Sequence, residues 1–65
     1  MKNTILRLKD VQHKTGLSRS TIYYYISQGT FPNKIQLSAK LCGWLESEVE
    51  EWILYRIEQS KNIKR

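Results

Sequence analysis

A chain of 65 residues holds one small domain, and with 40% hydrophobic residues it can build a modest core. A catalytic cleft walled off from water is hard to form at that size, which argues against an enzyme. The formal charge of +5 is unevenly placed: residues 1–45 carry seven cations against the lone anion Asp10, whereas residues 46–58 carry five glutamates against Arg56. A polyanion would be drawn to the first part and repelled by the second.

In chain order, residues 1–4 read as a flexible tail, and Ile5-Leu6-Arg7-Leu8 as a short extended segment. The pattern that follows predicts a short helix over about 9–15, with Asp10 in the first turn, where the helix dipole favours an anion. Leu8, Val11 and Thr15 share one face, and Leu17 completes the turn after it. Gln12 and His13 point away from that face. A lone histidine here reads as a surface residue, because zinc needs three further donors nearby.

Gly16 can take the positive φ that ends a helix, and Ser18 supplies a side-chain oxygen for the free N–H groups that open the next. A second helix is predicted over about 18–28, with Gly29 as its left-handed cap. At helical periodicity Ser18, Ile22, Tyr25 and Ile26 fall on one side, and Ser20, Tyr23, Tyr24 and Ser27 on the other, with Arg19 on the flank. An ordinary solvated face would carry Glu and Lys. Hydroxyls and aromatic rings beside a cation suit phosphates and base edges in a major groove. The first helix, the Gly16 turn and this second helix together read as a helix-turn-helix with a DNA-recognition helix.

Pro32 disfavours helix at Phe31 and leaves Phe31 to close one end of the core. Lys34-Ile35-Gln36-Leu37-Ser38 alternates polar and apolar, as a half-buried strand does, and Leu41-Cys42-Gly43-Trp44 returns as its partner. Ile35, Leu37 and Trp44 are expected to face inward, with Lys40 at the tip. Beside a helix-turn-helix such a hairpin, residues 34–44, reads as a wing, and its basic tip suits the nucleic-acid backbone. A third helix is expected from about Glu46, with Val49, Trp52, Ile53 and Ile57 as its apolar stripe and an acidic outer face. Leu54 and Tyr55 fall off that stripe and are free to meet a partner. Residues 59–65 read as a basic tail adding non-specific attraction.

The chain has no glycine-rich phosphate loop, no nucleophile with a supporting base and no metal-ligand spacing, so neither cofactor nor metal is expected. The single Cys42 precludes an internal disulfide. No apolar run approaches the roughly 20 residues needed to cross a bilayer, and no secretion signal follows Lys2. A cytoplasmic protein with no membrane or small-molecule partner is the expectation.

The residues so placed resemble the AlpA family of prophage regulators, a branch of the MerR/excisionase-like winged helix-turn-helix proteins. The likeness is carried by Thr15-Gly16-Leu17-Ser18-Arg19-Ser20-Thr21-Ile22-Tyr23, then Gly29, Phe31-Pro32, Gly43-Trp44, Ser47-Glu48-Val49 and Trp52-Ile53. It covers about residues 5–58 in unbroken order. The resemblance implies a mainly α fold with a small β-hairpin, and a regulator of a prophage or other mobile element. By position it puts Arg19, Ser20, Thr21, Tyr23 and Tyr24 on the recognition helix and Lys40 on the wing. Members commonly carry a basic residue where Tyr24 stands and Arg where Lys40 stands. Tyr24 can donate to a phosphate or stack, but cannot grip a guanine bidentately. Lys40 is a point charge in place of a planar fork.

The expected function is sequence-specific binding of double-stranded DNA to regulate transcription. Arg19, Ser20, Thr21, Tyr23, Tyr24, Ser27, Lys34 and Lys40 are the expected contacts. About five phosphate contacts would give a salt slope near −4 to −5. A module of this size covers about 600–1,000 Å² of DNA, so specificity calls for a dimer or tandem copies on repeated sites. The alternatives are an excisionase-like factor that bends DNA, and a protein-interaction module docking on a host regulator through Leu54, Tyr55 and Tyr24. Single-stranded binding through Tyr23 and Tyr24 is disfavoured, because stacking readers present aromatics on sheets.

Overall fold

Gly16 sits at φ 74°, in the left-handed region where a side chain would be strained, and the chain turns sharply there between two helices. The first, α1 (Leu8–Thr15), begins where the Asp10 carboxylate accepts from the Arg7 backbone N–H at 3.1 Å. It ends in a turn tied by Thr15, whose hydroxyl donates to the Val11 carbonyl at 2.7 Å and accepts from the Leu17 N–H at 3.2 Å. The second, α2 (Arg19–Ser27), is capped by Ser18, whose Oγ accepts from the Thr21 N–H at 3.2 Å. Gly29 follows at φ 75°, as expected for the residue beyond this helix. The computed structural model describes residues 3–61.

Three short strands complete the first two thirds of the chain. β1 (Ile5–Leu6) and β2 (Ile35–Gln36) flank β3 (Cys42–Leu45) in an antiparallel sheet of order β1-β3-β2. The pairing of β1 with β3 was not expected from sequence, where Ile5-Leu6 read only as an extended lead-in. α3 (Glu46–Lys61) starts directly after β3, and the Glu46 N–H donates to the Thr4 carbonyl at 2.8 Å. The segment before β1 and the start of α3 are thus joined through one hydrogen bond. The helix runs through Lys61, so residues 59–61 are helical where a tail was expected; the rest of that stretch, 62–65, lies outside the described residues, as do residues 1–2.

The register corrects the expected orientation of the hairpin. Ile35 pairs with Gly43, and Gln36 pairs with Cys42. Directly opposed residues share a face, and neighbours along a strand alternate. Gln36 therefore lies on the Trp44 side and Ile35 on the other, opposite to what the alternation suggested. Ile35 and Leu37 are exposed, at 36% and 46%. A register shift of one residue reverses every side chain, and only a buried face forces the choice. The core is too small to reach β2.

Six side chains form that core: Leu6, Val11, Ile22, Phe31, Trp44 and Val49, drawn from β1, α1, α2, the loop after α2, β3 and α3. Leu8, Leu17, Tyr25, Ile26, Trp52 and Ile53 pack around them. The α3 stripe holds at Val49, Trp52 and Ile53 but not at Ile57, which is 44% exposed because α3 outruns the core at its C-terminal end. Both indoles are anchored to the loop after α2: Trp44 donates to the Pro32 carbonyl at 3.1 Å, and Trp52 to the Thr30 carbonyl at 2.6 Å. Phe31 meets Trp52 edge-on at 4.8 Å between ring centroids. That loop is thereby clamped between α3 and the sheet, which fixes where α2 ends and where the wing begins.

Candidate nucleic-acid interface

The helical periodicity of α2 sorts most of its side chains as expected, Tyr23 being the exception: expected on the outer face, it is half-buried. Ile22 is fully buried, Tyr25 and Ile26 are half-buried, and Arg19, Ser20, Tyr24 and Ser27 are exposed. Burial of Ile22 against Val11 and Trp44 in one cluster holds the opposite face of α2 outward. Tyr24 stands 59% exposed, its ring tilted against Tyr25 at 5.9 Å. Tyr23 is half-buried beside two cations.

Those cations come from different elements. The Arg19 guanidinium carbon lies 5.8 Å from the Tyr23 ring centroid, and the Lys34 Nζ lies at the same 5.8 Å. Both distances are within the range at which a cation is attracted to an aromatic ring. Arg19 reaches Tyr23 along α2, four residues on, whereas Lys34 arrives from the segment leading into β2. The ring of Tyr23 thus gathers the helix and the base of the wing into one basic cluster. The four-residue spacing of Arg19 and Tyr23 is a local signal that could have found their pairing, whereas the Lys34 contact depends on the clamped loop between them.

Around this cluster, the Ser20 side chain is exposed and its hydroxyl joins no side-chain hydrogen bond among the described residues. The hydroxyls of Thr21 and Ser27 are already engaged. Thr21 Oγ1 shares a hydrogen bond with Ser18 Oγ at 2.9 Å, and Ser27 Oγ donates to the Tyr24 carbonyl at 2.6 Å. Thr21 is half-buried beside the cap; Ser27 lies at the exposed end of the helix. The N–H groups of Arg19 and Ser20 open α2 without intrahelical acceptors, since Ser18 serves only Thr21 and Ile22. Lys40 stands at the tip of the wing, where its own N–H donates to Ser38 Oγ at 3.4 Å. The tip is closed by Leu37 and Ser38 N–H groups donating to the Leu41 carbonyl, and by Gln36 Nε2 donating to the Ser38 carbonyl.

Two cations behave differently from the sequence tally. Lys14 Nζ lies 3.6 Å from Glu46 and 3.3 Å from Glu50, so its charge is offset by α3. Arg56 lies over Tyr25 and Trp52, at 5.2 and 5.1 Å from the ring centroids. No local spacing signals the Lys14 pairs or the Arg56–Tyr25 contact, because they join elements distant in sequence. Among the described residues, no three His, Cys, Asp or Glu side chains stand close enough to share a metal ion, and no helix is long and apolar enough to cross a membrane.

The family model described as "Prophage CP4-57 regulatory protein (AlpA)" matches residues 4–57. Among curated proteins, uncharacterized protein ORF88 of Enterobacteria phage P4 is 48% identical over 56 residues. That match takes in 86% of this chain but 64% of the phage protein, so the chain spans less than two thirds of that relative. The DNA-binding transcriptional activator AlpA of Escherichia coli (strain K12) is 43% identical over 58 residues, covering 80% of this chain and 83% of that protein. The turn, the second helix, the hairpin and most of the long third helix fall inside the matched span. The chain belongs to the AlpA family of prophage regulatory proteins.

Proposed function

We propose that the chain regulates transcription of a prophage or related mobile element by binding double-stranded DNA, with α2 in the major groove and the wing on the adjacent backbone. The carrying observation is the cluster of Arg19 and Lys34 around Tyr23, on a helix face whose other members are the open Ser20 and the exposed Tyr24. The description of the Escherichia coli relative as a DNA-binding transcriptional activator supports the same reading.

In this reading Arg19 takes a phosphate together with the free N–H groups at the start of α2. Lys34 and Lys40 hold the flanking backbone from the two ends of the wing. Ser20, Tyr23 and Tyr24 meet base edges or the thymine methyl group, and Ser27 and Thr21 contribute through their remaining acceptor sites. Lys14 is excluded from the count, since Glu46 and Glu50 already offset it. Three cations, Arg19, Lys34 and Lys40, then set the salt slope at about −3, shallower than the charge of the chain suggests.

The test is a mobility-shift comparison on duplexes selected from a random pool. Arg19→Ala should weaken binding to every duplex, whereas Ser20→Ala and Tyr23→Ala should alter which duplexes are preferred. Unchanged binding for all three variants contradicts the placement of α2.

A further inference from the structure

We propose that two copies of this chain associate through the exposed seam of α3, paired antiparallel about a two-fold axis. Glu50, Leu54, Ile57 and Lys61 recur at intervals of four, three and four, the seam spacing of a coiled coil, and occupy one narrow stripe of the helix. Leu54 is 60% and Ile57 44% exposed, and neither belongs to the core or to the proposed DNA face. A lone exposed leucine needs no explanation. An apolar centre flanked along one stripe by a glutamate and a lysine is self-complementary in one orientation only.

Placing the axis between positions 55 and 56 sets Leu54 against the second copy's Ile57, and Glu50 against its Lys61. Each contact occurs twice, as a two-fold interface requires. A parallel pairing would instead oppose Glu50 to Glu50 and Lys61 to Lys61, which repel. Beside the seam lies an open cleft of about 350 Å³ lined by Lys14, Glu50, Ile53 and Leu54, where the end of the partner helix would enter. The acidic pair Glu46 and Glu50 already balances Lys14 there and has capacity for a second ammonium. A seam of about three turns buries well under the roughly 1,200–2,000 Å² of a standard interface, so the free dimer is weak and forms at high concentration. This inference stands apart from DNA binding and needs no nucleic acid for its test.

Sedimentation of the whole chain without DNA, from about 10 μM to about 1 mM, measures it directly. The wild type is expected to shift from monomer to dimer and no further. Lys61→Glu, which opposes two glutamates twice over, should weaken association about tenfold. Adding Glu50→Lys to that variant restores the opposite-charge pairs and should return the wild-type value; Lys14 keeps Glu46 in the double variant. Leu54→Asp should be monomeric throughout, with its circular dichroism confirming an intact fold. A wild type that stays monomeric overturns the proposal. So does association that Lys61→Glu leaves unaltered, that the double variant fails to restore, or that proceeds to larger species.

Discussion

Gly43 shows how closely one residue can constrain this fold. A Cβ there would lie 2.5 Å from Ile5 Cγ2 and 2.7 Å from the Leu6 carbonyl oxygen. The methyl end of Ile5 can move, but the carbonyl belongs to the backbone of β1, so the β1–β3 pair would have to separate. Gly43→Ala should therefore cost about 1–3 kcal/mol, read as a lower midpoint in urea unfolding. Tyr24 bears on the proposed function. The ring is 59% exposed at a position where the resemblance leads one to expect a basic side chain. Tyr24→Arg adds a cation to the proposed DNA face without disturbing the core. It should tighten binding to all duplexes and steepen the salt slope by about 0.9. A variant that binds as the wild type does, with the same slope, would remove Tyr24 from the contact face.

Among the elements, α2 owes its start to a single side chain. Ser18 Oγ accepts from the Thr21 N–H and meets the Thr21 hydroxyl. Ser18→Ala should cost about 1 kcal/mol, visible in thermal unfolding. Most of α1, the turn and α2 was legible beforehand because local chemistry decides them: Gly16, Ser18 and the spacing of Val11, Ile22 and Ile26 act over a few residues. The wing was legible as a hairpin but not in its facing. Ile35 and Leu37 alternate with polar neighbours, yet register is set by β3 against both flanking strands, and Gly43 is what admits Ile5 on the outer side. The site was legible in the same proportion. Arg19 and Tyr23 share a helix face, but Lys34 reaches them only through the loop that Trp44 and Trp52 anchor. The diversion of Lys14 onto α3 has the same tertiary origin. Lys14→Ala should leave duplex affinity within about twofold, while Arg19→Ala lowers it severalfold. Equal losses in a side-by-side titration would mean that Lys14 also faces the nucleic acid.

At the scale of the whole molecule, charge is divided between two faces. The outer face of α2 and the wing collect cations that have no carboxylate within salt-bridge distance among the described residues, whereas α3 carries the glutamates and uses two of them on Lys14. With 16 residues, α3 is about 24 Å long and extends past the six-residue core, which leaves its last turns available for another molecule. One module covers too little DNA for strong discrimination, so a second copy held by α3 would raise the local concentration of the first at paired sites. With the number of engaged cations set by the fold, log affinity against log salt should be linear with a slope of about −3 per protomer. A slope twice that steep on a single site would show that residues 1–2 or 62–65, or Lys14, also engage phosphates.

The most direct test is a backbone amide NMR titration of the intact chain with a selected duplex at low salt. The account predicts the largest shifts at Arg19, Ser20, Tyr23, Tyr24, Lys34 and Lys40, and little change at Glu48, Glu51 and Glu58. Shifts concentrated along α3, with α2 and the wing unmoved, would contradict it.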